Sequence, residues 1–277
     1  MAKYIMSDIH GQYKLFTEFL EKINFSEEDD LYINGDLIDR CIGSAYLIDF
    51  VLQNDNVNLI LGNHEEMFIK AYEKVDLNED LDIRDAIYKN EDGEEVKCKI
   101  HKDEDVSLWL ANGGFETIQE IRRFNRHSGR DLFKEFYEYL KECPKWMLID
   151  EHIIFHAGVG FYFGKDYSDE EIQFILARAE KDERFLWGRY LWDSAFLKDS
   201  IKIPSEYTGV IGHTPIQNTD YYVENPIQDS IFKESEHGSK IINIDFGTYK
   251  SGMIGAYEMN DKEVKVLIDG EIKKFQI

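Results

Sequence analysis

Residues 31–40 read Leu31-Tyr32-Ile33-Asn34-Gly35-Asp36-Leu37-Ile38-Asp39-Arg40. A short apolar run stops at a glycine and a carboxylate, the pattern of a buried strand ending in a polar tip. The pattern recurs on both sides of this stretch. Upstream, Tyr4-Ile5-Met6 leads into Asp8-Ile9-His10-Gly11. Downstream, residues 57–61 lead into Gly62-Asn63-His64-Glu65. Further on, Ile153-Ile154-Phe155 ends in His156-Ala157-Gly158, and Gly209-Val210-Ile211 ends in Gly212-His213-Thr214-Pro215. Between the first and second runs, Leu15, Phe16, Phe19, Leu20 and Ile23 recur at helical spacing. Ala45, Ile48, Val51 and Leu52 do so between the second and third. Strands alternating with helices predict parallel pairing through right-handed crossovers. Ligand sites in such sheets lie beyond the carboxyl ends of the strands. The five polar tips are therefore expected along one edge of one sheet.

The remaining chain reads more loosely. Residues 66–145 form a mainly helical insertion, broken at Asn112-Gly113-Gly114 and stopped near Pro144. Its stretch 76–105 is acidic and polar, with a turn at Asp92-Gly93, and reads as an exposed cap. An amphipathic helix is expected over 168–184, and a loop or hairpin over 219–239. Residues 241–244, 253–257 and 264–268 read as a meander forming a second, more antiparallel sheet. No internal repeat or linker is evident, so one domain over 1–277 is expected. The fold class is α/β, a two-sheet sandwich flanked by helices, with the polar tips at one edge.

Hydrophobic residues make up 43% of the 277 and charged residues 31%, an ordinary globular balance. The net charge of −23 repels nucleic-acid backbones and anionic membrane surfaces and attracts cations. Cys41, Cys98 and Cys143 are odd in number and far apart, which argues against a disulfide framework and for a reducing cytoplasm. The apolar run after Met1 is too short for a signal peptide, and no run reaches membrane-spanning length, so a soluble, unprocessed chain is expected.

Taken singly, the polar tips have ordinary explanations. Asp8 and His10, two apart on a strand, point the same way and make half of a metal site. They also read as a turn-capping acid and a surface imidazole. The Asp36 carboxylate can bridge two cations. Asp39 and Arg40 fit a helix start, Asn63 a turn, and His156 and His213 hydrogen-bonded residues near the core. Their combination is different. Two acids (Asp8, Asp36), one amide (Asn63) and three imidazoles (His10, His156, His213) at the five strand ends offer mixed oxygen and nitrogen donors. Such a set suits manganese, iron, zinc or cobalt better than calcium, and without thiolates it excludes a structural zinc cluster. His101, His127, His152 and His237 are expected to be exposed, with His152 at the opposite end of its strand from His156. Glu65 reads first as a helix-start acid, with a role in orienting the ligands as the alternative.

The ordered series Asp8-x-His10-Gly11, Gly35-Asp36-x-x-Asp39-Arg40, Gly62-Asn63-His64-Glu65, His156-Ala157-Gly158 and Gly212-His213-Thr214 resembles the calcineurin-like metallophosphoesterases. It is most similar to their phosphoprotein phosphatase branch, which includes bacterial protein phosphatases and symmetrical dinucleoside tetraphosphatases. Asn243-Ile244-Asp245-Phe246-Gly247 followed by Gly252 is similar to the bacterial members, whereas Cys41 stands where the family often has glycine.

The resemblance implies a four-layer αββα fold and two divalent metal ions, manganese first with iron, zinc or cobalt as alternatives. Asp8, His10 and Asp36 would hold one ion, and Asp36, Asn63, His156 and His213 the other. His64 would be the general acid, oriented by Asp39, and Arg40 the phosphate clamp. Arg189 in Trp187-Gly188-Arg189 resembles a second family arginine, and reads equally as a surface arginine at a helix end. The implied activity is phosphomonoester hydrolysis by a metal-bridging hydroxide, with a serine/threonine protein phosphatase as the first expectation. A symmetrical bis(5'-nucleosyl)-tetraphosphatase is the alternative. A silent binding protein on the same scaffold is the alternative of another class, disfavoured by the complete residue set. The expected partner is a phosphorylated protein or a small phosphate ester, with no nucleic acid and no membrane.

Overall fold

The computed structural model describes residues 1–89, 95–158, 168–182, 184–189, 203–218, 227–234 and 238–277. The chain begins as anticipated: β1 (Lys3–Met6), α1 (Tyr13–Lys22), β2 (Asp30–Asn34), α2 (Ser44–Gln53), β3 (Val57–Ile60) and α3 (Asn63–Tyr72). β1 pairs in parallel with β2, and β2 with β3. The insertion adds β4 (Arg84–Lys89), β5 (Glu95–Ile100), α4 (Glu104–Trp109), a π-turn at Leu110–Gly114, α5 (Phe115–Ser128) and α6 (Leu132–Glu142). Then come β6 (Trp146–Ile149), β7 (His152–Phe155), α7 (Asp169–Ala179), α8 (Arg184–Trp187) and β8 (Thr208–Ile211). The remaining elements are α9 (Ile227–Ile231), β9 (Phe232–Glu234), β10 (Lys240–Asn243), α10 (Thr248–Ser251), β11 (Ile254–Glu258), β12 (Glu263–Ile268) and β13 (Glu271–Gln276).

Two large sheets result, ordered β13-β12-β11-β1-β2-β3 and β6-β7-β8-β10-β9. The polar tips therefore do not share one sheet. Three follow β1, β2 and β3 in the first sheet, and two follow β7 and β8 in the second. The C-terminal meander also divides. β10 runs parallel to β8 in the second sheet, while β11, β12 and β13 extend the first sheet antiparallel from β1. Run length and polarity do not distinguish these destinations, because every strand concerned is buried on at least one face.

The alternation of side chains shows how the layers stack. Tyr4 and Met6 pack outward against the helices, and Ile5 packs inward. Leu31 and Ile33 likewise face the helices while Tyr32 faces inward. On the second sheet, Ile153 and Phe155 pack with α7 and α8, and Ile154 meets Ile5 and Tyr32 in the layer between the sheets. Strands covered on both faces read as continuous apolar runs, which is why they were detectable. The result is helices, sheet, sheet and helices.

The insertion packs on the first sheet through Phe68, which contacts Trp109, Phe133 and Phe136. Within the stretch expected as an exposed cap, β4 pairs antiparallel with β5. This hairpin has no buried residue among those whose exposure is described, so it lacks the apolar alternation that reveals a strand. The expected helix over 168–184 is α7 followed by the start of α8. The Asp92-Gly93 turn, residues 219–226 and His237 lie outside the described residues. Among the described residues, no helix is long and apolar enough to cross a membrane.

Candidate metal centre

The polar tips sit on strained backbone. Ten non-glycine residues among those described have positive φ, and six of them are Asp8, His10, Asp36, Asp39, Arg40 and His213. Left-handed conformations cost energy in residues with a Cβ and persist where surrounding contacts enforce them. Those contacts are present. Asp8 N–H donates to Gly35 O, and His10 N–H donates to Asp36 O, so the first two loops are laced together. Glu65 lies fully buried and accepts N–H groups from Asp36 (2.9 Å), Leu37 (2.9 Å) and Gly62 (3.0 Å). It is thus both the helix-start acid expected, capping the first turn of α3, and a tie between the second and third loops. Gly212 allows the fifth loop to close on the first, since a Cβ there would overlap Ser7 Oγ and Asp8 Oδ2.

All six anticipated ligands converge. His10 Nε2 is 3.9 Å from Asp8 Oδ1 and 3.5 Å from Asp36 Oδ2. On the other side, His156 Nε2 is 3.1 Å from Asp36 Oδ1 and 3.1 Å from Asn63 Oδ1, and His213 Nδ1 is 3.0 Å from Asn63 Oδ1. Asp36 turns one oxygen to each group. Ligand atoms of His10, Asp36 and His64 lie within 4.8 Å of one another, as do those of Asp36, His156 and His213.

The chemistry of this donor set fits cations. His10 Nδ1 faces Ile38 O at 3.0 Å, and His156 Nδ1 faces Asn34 O at 2.8 Å. A ring nitrogen facing a carbonyl carries the proton, so Nε2 of both rings offers a lone pair inward. Carboxylate, amide and imidazole lone pairs then crowd together, and their repulsion is relieved only by positive charge. Burial alone would lower the His156 pKa, yet the Asp36 carboxylate and its hydrogen bond push it up to about 10. That gathered negative potential is what a divalent ion would meet in place of a proton. Burial, followed by Arg40 and His64, holds His10 well below its ordinary value, and burial with His156 and Arg189 does the same for His213. Burial would raise Asp36, but His156 and His64 hold it well below the usual carboxylate range.

His64 stands beside this pair. Its Nδ1 lies 2.7 Å from Asp39 Oδ2, and its Nε2 lies 3.1 Å from Arg40 Nη2 and 3.7 Å from Asp36 Oδ2. Asp39 also accepts from Trp109 Nε1 (2.9 Å) and Thr117 Oγ1 (2.7 Å), both from the insertion. Burial disfavours the charged imidazole, but the Asp36 and Asp39 carboxylates overcome it and raise the His64 pKa. Arg189 is exposed, and its Nη1 donates to His213 O at 2.8 Å and Thr214 Oγ1 at 3.2 Å, so it lies at the rim of the fifth loop.

Three contributors were not anticipated. Asn34 donates from Nδ2 to Phe155 O (3.0 Å) and Val210 O (3.3 Å), bolting the first sheet to the second beside the site. A buried amide ending an apolar run was its only sequence signal. Tyr249 lies under the Arg40 guanidinium at 4.4 Å and meets the His10 ring edge-on at 5.4 Å. Asp245 is buried, and desolvation with the Asp8 charge pushes its carboxyl well above the usual range. His152, expected exposed, is 1% exposed and its Nε2 lies 3.0 Å from Tyr257 Oη. It does lie at the far end of β7 from His156. His127 is exposed as expected, whereas His101 is half-buried.

Residues 3–188 match the calcineurin-like phosphoesterases, and the chain belongs to that family. Its members are hydrolases of phosphate esters and depend on metals. The symmetrical bis(5'-nucleosyl)-tetraphosphatase of Salmonella arizonae is 29% identical over 122 residues, and that of Proteus mirabilis 27% over 122 residues. These matches cover 41% of this chain and 43% and 45% of the two relatives, less than half of either protein. A solved metallophosphoesterase from Sphaerobacter thermophilus has the same fold, with a TM-score of 0.50 at 14% identity over 96% of this chain and 86% of that one.

Proposed function

We propose that this protein is a two-metal hydrolase of phosphate esters and anhydrides whose preferred substrate is a dinucleoside polyphosphate. The observation that carries the chemistry is the Asp36 carboxylate, with one oxygen facing His10 and the other facing His156. Asp8, His10 and Asp36 would hold one divalent ion, and Asp36, Asn63, His156 and His213 the second. Manganese suits the mixed donors, with iron, zinc or cobalt as alternatives. Such a pair supplies charge neutralisation at the phosphoryl group and a water of lowered pKa.

The remaining work falls to protein groups. Arg40 presents two parallel N–H donors to phosphate oxygens. His64 delivers a proton to the leaving oxygen, and Asp39 favours the charged imidazole and fixes its ring through Nδ1. The 3.1 Å approach of Arg40 Nη2 to His64 Nε2 supports a reading in which both act on one phosphoryl group. Glu65 and Asn34 hold the ligand loops in register. Arg189, from its rim position, would reach the phosphate only by leaving His213 O. We read the chain as one domain with its insertion at about 66–145, acting in the cytoplasm.

The relatives' names favour the dinucleotide over the phosphoprotein that sequence motifs put first. Turnover of diadenosine tetraphosphate against a phosphoserine peptide by manganese-loaded protein tests this, with Asp36→Asn as the blank. Faster turnover of the peptide would overturn the substrate assignment, and equal turnover by the blank would overturn the site.

A further inference from the structure

Arg40 also lines a cavity of about 570 Å³. Its walls are the π-turn of the insertion, Tyr249, and the Asp85, Lys97, Cys98 and Lys99 positions of the β4–β5 hairpin. The volume lies in the range of pockets that take a nucleotide-sized ligand. Its direction follows from the site. His64 Nε2 must face the leaving oxygen, and Arg40 is the group beside Nε2. A leaving group that departs past Arg40 therefore enters this cavity.

The lining charge is unlike that of the rest of the chain. The protein has 32 basic residues against 55 acidic, yet three cations, Arg40, Lys97 and Lys99, line this cavity against two acids, Asp85 and Glu116. Lys99 is already engaged, with Nζ 2.6 Å from Asp85 Oδ1 and 5.1 Å from the centre of the Phe115 ring. Lys97, two residues away on the same strand face, has no ion-pair partner among the described residues and is exposed.

We infer that this cavity is the leaving-group subsite and that Lys97 is a specificity-determining residue that binds a further phosphate on the leaving group. The inference rests on the phosphoesterase reading above and names the leaving group as a nucleoside di- or triphosphate. A serine or threonine leaving group brings no additional anion and leaves Lys97 without a role. A nucleotide brings phosphates for Lys97 and a planar base for the wall formed by Phe115 and the π-turn. In this arrangement the hairpin is a selectivity element supplied by the insertion.

The test compares kcat/KM for diadenosine tetraphosphate and p-nitrophenyl phosphate in wild type, Lys97→Gln and Lys97→Glu. The ratio of the two substrates should fall about tenfold in Lys97→Gln, and further in Lys97→Glu, as expected for losing and then reversing one charge-assisted contact. The loss should appear mainly in KM for the dinucleotide. An unchanged ratio overturns the subsite. Wild type that hydrolyses neither substrate overturns the phosphoesterase reading instead.

Cys98 gives a readout independent of turnover. ADP should slow alkylation of Cys98 in wild type, followed by peptide mass spectrometry, and should protect it less in Lys97→Glu. Absence of protection by ADP, or protection by a phosphoserine peptide alone, overturns the assignment to a nucleotide leaving group.

Discussion

His64 and His152 show how one residue type acquires opposite properties from its neighbours. Two carboxylates around His64 favour its charged form despite burial. His64→Ala should lower turnover about 10²–10⁴-fold, the usual worth of a positioned acid. Both metals should remain by elemental analysis, since the six other donors are untouched. Loss of metal in this variant would make His64 a ligand. At His152 burial, helped by Lys262, outweighs the Glu151 and Asp150 carboxylates and holds the pKa below the ordinary value. The unfolded chain binds a proton at this histidine below about pH 6.5, while the folded chain resists it. Stability from this residue is therefore full above pH 6.5 and declines as pH falls, by at most about 1.4 kcal/mol per pH unit. Metal-free His152→Gln should lose less stability than wild type between pH 7.5 and 5.5 in urea titrations. Equal losses would refute the assignment. At this scale the ligands were legible because each follows an apolar run. Asn34 was not, because its role depends on backbone carbonyls of the second sheet.

The elements of the insertion reach the site through one carboxylate. Trp109 in α4 and Thr117 in α5 donate to the two oxygens of Asp39, some seventy positions earlier in the chain. Thr117→Val keeps the shape and removes both the donor to Asp39 Oδ1 and an acceptor of the Asp39 N–H. It should lower kcat about tenfold with metal content unchanged, because the acid loses its fixed orientation without any change in the ligands. Elemental analysis beside steady-state kinetics checks this, and loss of metal would show that α5 supports the loops more broadly. The helices of the insertion were legible from their apolar spacing. The hairpin was not, since exposed strands bury too little apolar surface to leave a pattern.

Across the whole molecule, buried carboxylates gather at the edge that the two sheets share. Asp8, Asp36 and Asp245 lie buried together within a chain of net charge −23. Bound cations should therefore stabilise the fold. At a concentration about 100-fold above Kd, each site contributes about 2.7 kcal/mol. Saturating manganese should raise the Tm by several degrees, and Asp36→Asn should abolish most of that rise, because one carboxylate serves both sides. A full rise in Asp36→Asn would show that the sites are independent.

The sequence by itself determined the strand ends, the six polar residues that converge there and the family of chemistry they belong to. These are local facts, since an apolar run and the residue that ends it are adjacent in the chain. Only the tertiary structure decided that the tips come from two sheets, that Glu65 and Asn34 join the loops, and that the hairpin closes a cavity beside Arg40. Those outcomes are set by hydrogen bonds and packing between distant segments, and no short stretch of chain records which partner it will meet.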